Sequence, residues 1–163
     1  MALWLVDAAR RNHALEHATI ALLKRQAPEV RISGRSTPWG FHLYGDIATS
    51  SVEASAQEAL ARLQSGELDL AISELCGTNL AVGGLLAGLS ALLAVGKGRR
   101  LERLPQGMLA ALGAVLLAQP LGRWVQRKVT VEPQVGALKI LGVERRQRGR
   151  WTVHVVKTVL HSA

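Results

Sequence analysis

The chain has 163 residues, 48% of them apolar and 4% aromatic, and a formal charge of +8. That length suits one small domain with an appendage. A single cysteine, Cys76, excludes an intramolecular disulfide framework and a CxxC motif, and Asp7, Arg10, Arg11, Glu16 and Lys24 interrupt any N-terminal signal-peptide core.

In chain order, residues 3–26 predict a helix that stops before Pro28. VRISGRS (30–36) predicts a strand, TPWG (37–40) a turn, and FHLYGDI (41–47) a second strand. SSVEASAQEALARLQ (50–64) predicts a helix with Ser50 as N-cap and Glu53 closing a capping box. Its apolar stripe is Val52, Ala56, Ala59, Leu60 and Leu63. LDLAIS (68–73) predicts a third strand. Residues 1–74 thus form an α-β-β-α-β unit, an α+β fold of two layers.

Residues 75–96 and 104–122 then run without a charge. A bilayer core of ~30 Å needs about 20 apolar residues as a helix, so 75–122 predicts a transmembrane hairpin. Gly84, Gly88 and Ala91, facing Gly107, Ala111 and Ala114 or Ala118, offer small residues for close helix packing. The third segment, 123–163, holds nine Lys/Arg and two Asp/Glu. KVTVEP, ALKILGVE and WTVHVVKT within it predict strands, the last two closed into a hairpin by QRG, joining the first sheet or forming their own. A basic segment directly after an apolar one points to lipid headgroups, with Arg99, Arg100, Arg123, Arg127 and Lys128 as contacts. The tail lacks the interleaved aromatics of a nucleic-acid surface. Positive charge on both sides of the hairpin nearly balances the positive-inside rule. The expectation is a bacterial inner-membrane protein with both termini in the cytoplasm.

The residues with the most chemistry are HALEH, His13 to His17. With His13 at 0° on a helix, His17 falls at about 40° and Glu16 at about 300°. All three share one face, at the edge of the apolar arc that runs from Leu22 to Ile20. His at i and i+4 lets two imidazoles reach one metal ion, and a Glu between them can act on water without being a ligand. The pattern HxxEH resembles the motif of the inverted zinc peptidases. That resemblance implies His13 and His17 as zinc ligands and Glu16 as general base. The insulinase/pitrilysin-type peptidases also follow their motif helix with two strands and a helix and carry a Tyr on the second strand, where this chain has Tyr44. Their third ligand, a downstream Glu, has no clear counterpart here. Glu53 is the nearest acidic candidate, and Cys76 and His42 are alternative third ligands. Thr78 and Asn79, beside Cys76 in CGTN, fall in the first turn of the first apolar helix and can cap it or receive an anion. His42, Tyr44 and Asp46 share one strand face, which a solvent-facing strand also explains.

Taken together, RNHALEHATI, GRSTPWGFHLYGD and CGTNL before an apolar hairpin resemble an uncharacterised membrane-protein family of cyanobacteria and Chloroflexi-type bacteria. The resemblance implies a bacterial membrane protein and supplies no activity. Two readings follow. One is a membrane-anchored zinc-binding protein with a metallopeptidase-like site. The other is a non-catalytic accessory or assembly subunit of a larger membrane complex, packing on a partner or on a second copy.

Overall fold

The computed structural model describes residues 2–73, 76–96, 102–149 and 151–160. Two compact units emerge. The first combines residues 1–73 with 130–163, and the second is 74–129.

In the first unit, helix α1 spans Ala2–Gln26. Its Ala and Leu are strong helix formers, and Lys24 and Arg25 favour the negative end of its dipole. Pro28 disfavours helical backbone at Ala27, whose N–H makes a last bond to Leu23 O at 2.9 Å. Strands β1 (Ser33–Thr37) and β2 (Gly40–Tyr44) form the expected hairpin. Its turn needs glycine at Gly40, where φ is 137° and a β-carbon would lie 3.0 Å from the carbonyl carbon of Val156. Helix α2 (Thr49–Gln64) buries the expected stripe, with Ser55 added. The capping box does not form. The helix starts one residue early, Ala48 is the N-cap with no side-chain bond, and Ser50 lies inside the first turn.

Residues 68–73 do not form a strand. Leu68–Ala71 is a 3₁₀ turn instead. The inner place beside β2 is taken by β4 (Trp151–Leu160), which also pairs with β3 (Leu138–Arg148). The two tail strands therefore join the first sheet, in the antiparallel order β1-β2-β4-β3. A ten-residue strand offers more ladder bonds than a six-residue one. KVTVEP is also not a strand. Gln126–Thr130 is a π-helical turn, and the segment after it lies along α1. There Glu132 N–H donates to Arg10 O at 3.1 Å, and Arg10 Nη2 donates to Val131 O at 3.2 Å. Of the two valines in KVTVEP only Val131 enters the core, followed by Val135 beyond it, while Val129 is exposed.

Leu15, Leu22, Phe41, Leu43, Val52, Leu63, Leu138 and Val156 anchor one core between helices and sheet. Each such side chain contributes ~1.5–3 kcal/mol on burial. Alternation along β2 turns Phe41 and Leu43 into this core and His42 and Tyr44 to the opposite face.

The second unit is an antiparallel pair, α3 (Gly77–Val95) and α4 (Leu104–Val125). Both helices are long and apolar enough to cross a membrane. Their seam runs through Asn79, Gly83 and Val95 on α3 and Gly122, Ala118 and Gly107 on α4. A β-carbon on Gly107 would meet Val95 Cγ2 at 2.8 Å, and one on Gly83 would meet Ala118 Cβ at 3.6 Å. The expected Gly84 and Gly88 row is off the seam, with open space where a β-carbon would point. A polar contact sets the rotation: Gln126 Nε2 donates to Asn79 Oδ1 at 2.8 Å, and both residues are buried. Small-residue spacing is satisfied by several faces of a Gly/Ala-rich helix, whereas this bond selects one.

Candidate metal site on the HALEH helix

The middle of α1 is enclosed rather than edge-on. Ala14, Leu15, Glu16, His17, Ala18 and Thr19 are all buried, and His13 is half-buried. β1, β2, α2 and the 3₁₀ turn all pack against this helix, so a polar residue here needs a partner inside the protein.

Both histidines find backbone carbonyls. His13 Nδ1 lies 2.9 Å from Thr130 O, and His17 Nδ1 lies 2.7 Å from Ala71 O. A carbonyl only accepts, so Nδ1 carries a proton in each ring, and the tautomer compatible with these bonds is the one whose lone pair is on Nε2. The imidazole centroids are 4.3 Å apart with planes at 63°. A ligating histidine is typically oriented this way, its second ring N–H held by a carbonyl or carboxylate. Neither carbonyl belongs to a recognisable motif. Thr130 is the last residue of the π-helical turn and Ala71 ends the 3₁₀ turn, the two places where strands were expected.

Glu16 lies against β1 at Gly34. A β-carbon on Gly34 would fall 2.7 Å from Glu16 Cδ and 2.8 Å from its Cγ, so the glycine of SGRS makes room for this carboxyl. Asn12, one residue before the motif, is fully buried. Its Nδ2 donates to Thr37 O at 3.0 Å and to Pro38 O at 3.2 Å, and its Oδ1 accepts from Thr158 Oγ1 at 2.7 Å. It pins the helix to the β1–β2 turn and to β4. Sequence reading missed Asn12 and Gly34. The signal was present: a polar amide on the buried arc of a helix, and a glycine inside a strand.

The other expected residues lie on other elements. Tyr44 and His42 sit on the sheet face turned away from the core, and Glu53 is exposed on α2. Cys76 is the N-cap of α3, where its Sγ accepts from Thr78 N–H at 3.4 Å. Asn79 belongs to the seam of the second unit. Arg123, Arg127 and Lys128 are exposed near the end of α4, while Arg99 and Arg100 lie outside the described residues.

Residues 8–143 match the family described as Domain of unknown function (DUF6391). The chain belongs to this family. The match takes in the HALEH helix, the first hairpin, α2, both apolar helices and the start of β3. Among curated proteins, the chain is 35% identical over 135 residues to an uncharacterised protein of the cyanobacterium Picosynechococcus sp. (strain ATCC 27264 / PCC 7002 / PR-6), a match covering 74% of this chain and 64% of the relative. The chain thus spans less than two thirds of that relative's length. No solved structure matches, and the likeness to zinc peptidases rests on the HALEH motif itself.

Proposed function

We propose that this family member is a small membrane-anchored protein that binds a zinc-type divalent ion through Nε2 of His13 and of His17. The observation that carries the reading is the pair of Nδ1-to-carbonyl bonds on adjacent imidazoles, which fixes in both rings the tautomer that a metal needs.

Cys76 is the third donor in this proposal. It follows Ala71, whose carbonyl holds His17, by five residues. Sulfur with two imidazoles is a donor set suited to zinc. Such an ion supplies Lewis acidity and lowers the pKa of water. Glu16, buried on the same helix, would be the general base in this reading, the carboxylate that takes up a proton. The class of reaction is hydrolysis, and HxxEH favours an amide substrate. The apolar helices supply the anchor. Leu80, Leu93, Met108 and Leu116 point outward in the hairpin with 70–83% of their surface exposed, as lipid-facing side chains do. The bacterial inner membrane fits a family with a cyanobacterial relative.

Cobalt substitution tests the ligand set. The cobalt-loaded chain in uncharged detergent is expected to show d–d absorption of a tetrahedral site. Cys76→Ser should remove its near-ultraviolet thiolate-to-metal band, and His17→Ala should remove the absorption altogether. Cobalt bound with no thiolate band would remove Cys76 from the site. Glu16→Gln is expected to keep the metal and lose hydrolysis of peptide libraries. Full function with Glu16→Gln, together with co-purification of a larger membrane assembly, would favour the accessory-subunit reading.

A further inference from the structure

The first unit's sheet has a second face, and it is basic. Cross-strand register sets its rows. Arg35 pairs with His42, His42 with Val155, and Val155 with Glu144; beside that row, Tyr44 pairs with Val153 and Val153 with Arg146. Arg148 follows two residues on, on the same face. Arg35, His42, Tyr44, Arg146 and Arg148 surround a hollow of about 130 Å³ floored by Val153 and Val155. The arginines come from opposite edge strands, more than 100 residues apart in sequence.

These cations are under-compensated. Glu144 Oε2 accepts from Arg146 Nη2 at 2.8 Å, and the same carboxylate also binds Lys157. Among the described residues, Arg35 and Arg148 have no carboxylate partner. Burial, followed by Arg146, Arg148 and Arg35, holds the His42 imidazole below its ordinary value, so at neutral pH it is a neutral donor in a positive field. A valine floor keeps water from one side and strengthens any charge-assisted bond formed above it.

We propose that this hollow binds the phosphate group of a phosphomonoester dianion. Planar guanidinium forks match phosphate oxygens two at a time, and the Tyr44 hydroxyl and His42 N–H add neutral donors. Several cations held together around a small hollow call for a compact multivalent anion rather than a carboxylate. The site is independent of the HALEH helix, which packs on the other side of the sheet.

Calorimetric titration of the full chain in uncharged detergent tests this, with two probes: inorganic phosphate and dihexanoyl phosphatidic acid. Saturable binding of at least one is expected. Arg35→Ala/Arg148→Ala should weaken it by at least 100-fold, since each charge-assisted bond is worth ~10-fold or more. Arg62→Ala, which removes a cation from α2, should leave binding unchanged. Arg35→Lys, which keeps charge and loses the fork, should give intermediate weakening and serves if the double variant fails to fold. Tighter binding of phosphatidic acid than of phosphate would identify a lipid headgroup as the source, and equal binding a soluble phosphate. Absence of saturable binding of either probe, or equal losses in Arg62→Ala and the Arg35/Arg148 variants, would overturn the proposal.

Discussion

Gly34→Ala probes the packing that holds the general-base candidate. The new methyl would sit 2.7 Å from Glu16 Cδ, well inside van der Waals contact. Glu16 is only 5% exposed, so it cannot swing into solvent without opening the α1–β1 contact. Overpacking of this kind costs ~1–3 kcal/mol, which corresponds to roughly 4–12 °C in melting temperature for a unit of this size. The strain is specific to one side chain, so the decisive form is a double-mutant cycle followed by far-ultraviolet circular dichroism in detergent. In a Glu16→Ala background the methyl has space, and Gly34→Ala should cost less than a third of what it costs in the wild type. The coupling should be ~1 kcal/mol or more. An equal penalty in both backgrounds would mean that the glycine serves the strand backbone and that Glu16 is not seated as described.

Other consequences follow from buried polar groups and close approaches. Gly122→Ala would place a β-carbon 3.0 Å from Asn79 Cγ and should break the Asn79–Gln126 bond, lowering hairpin stability by ~1–3 kcal/mol in a denaturant titration; Gly84→Ala, off the seam, should be neutral. His154 is fully buried, with Nε2 3.2 Å from Thr49 Oγ1 and no partner for Nδ1. Burial and then Arg145 hold its pKa below 6.5, against an opposing pull from Asp46. His42 shifts in the same direction. Protonation therefore favours the unfolded chain. Stability should be full above pH ~6.5 and fall as pH drops below it, and His154→Gln should flatten that slope in melts between pH 7 and pH 5. Asn12→Ala leaves the Thr158 hydroxyl without its acceptor and two carbonyls without their donor, and should cost ~1–3 kcal/mol in the same melts.

Much of the architecture was legible because it rests on local signals. Pro28 ends α1, TPWG turns the first hairpin, and valine-rich runs around Gly149 make the last. Legibility failed where tertiary pairing decided. LDLAIS alternates like a strand, yet β4 holds the place beside β2, and the segment becomes the 3₁₀ turn whose Ala71 carbonyl receives His17. KVTVEP alternates like a strand, yet of its two valines only Val131 enters the core, and Gln126–Thr130 closes as a π-helical turn whose Thr130 carbonyl receives His13. The HALEH spacing was visible, but the groups that orient its two rings are backbone carbonyls, which carry no side-chain signature. Arg35 fell in the first predicted strand and Arg146 and Arg148 at the turn of the last predicted hairpin, and only the sheet order brings them to one face.

The most direct test of the central claim is the zinc content of the full chain purified in detergent, wild type beside His13→Ala/His17→Ala, by mass spectrometry of the metal. The two oriented imidazoles predict close to one zinc per wild-type chain and none in the double variant, with the double variant still folded by circular dichroism. A folded wild-type chain that holds no zinc after zinc has been offered, or a double variant that holds as much as the wild type, would contradict it.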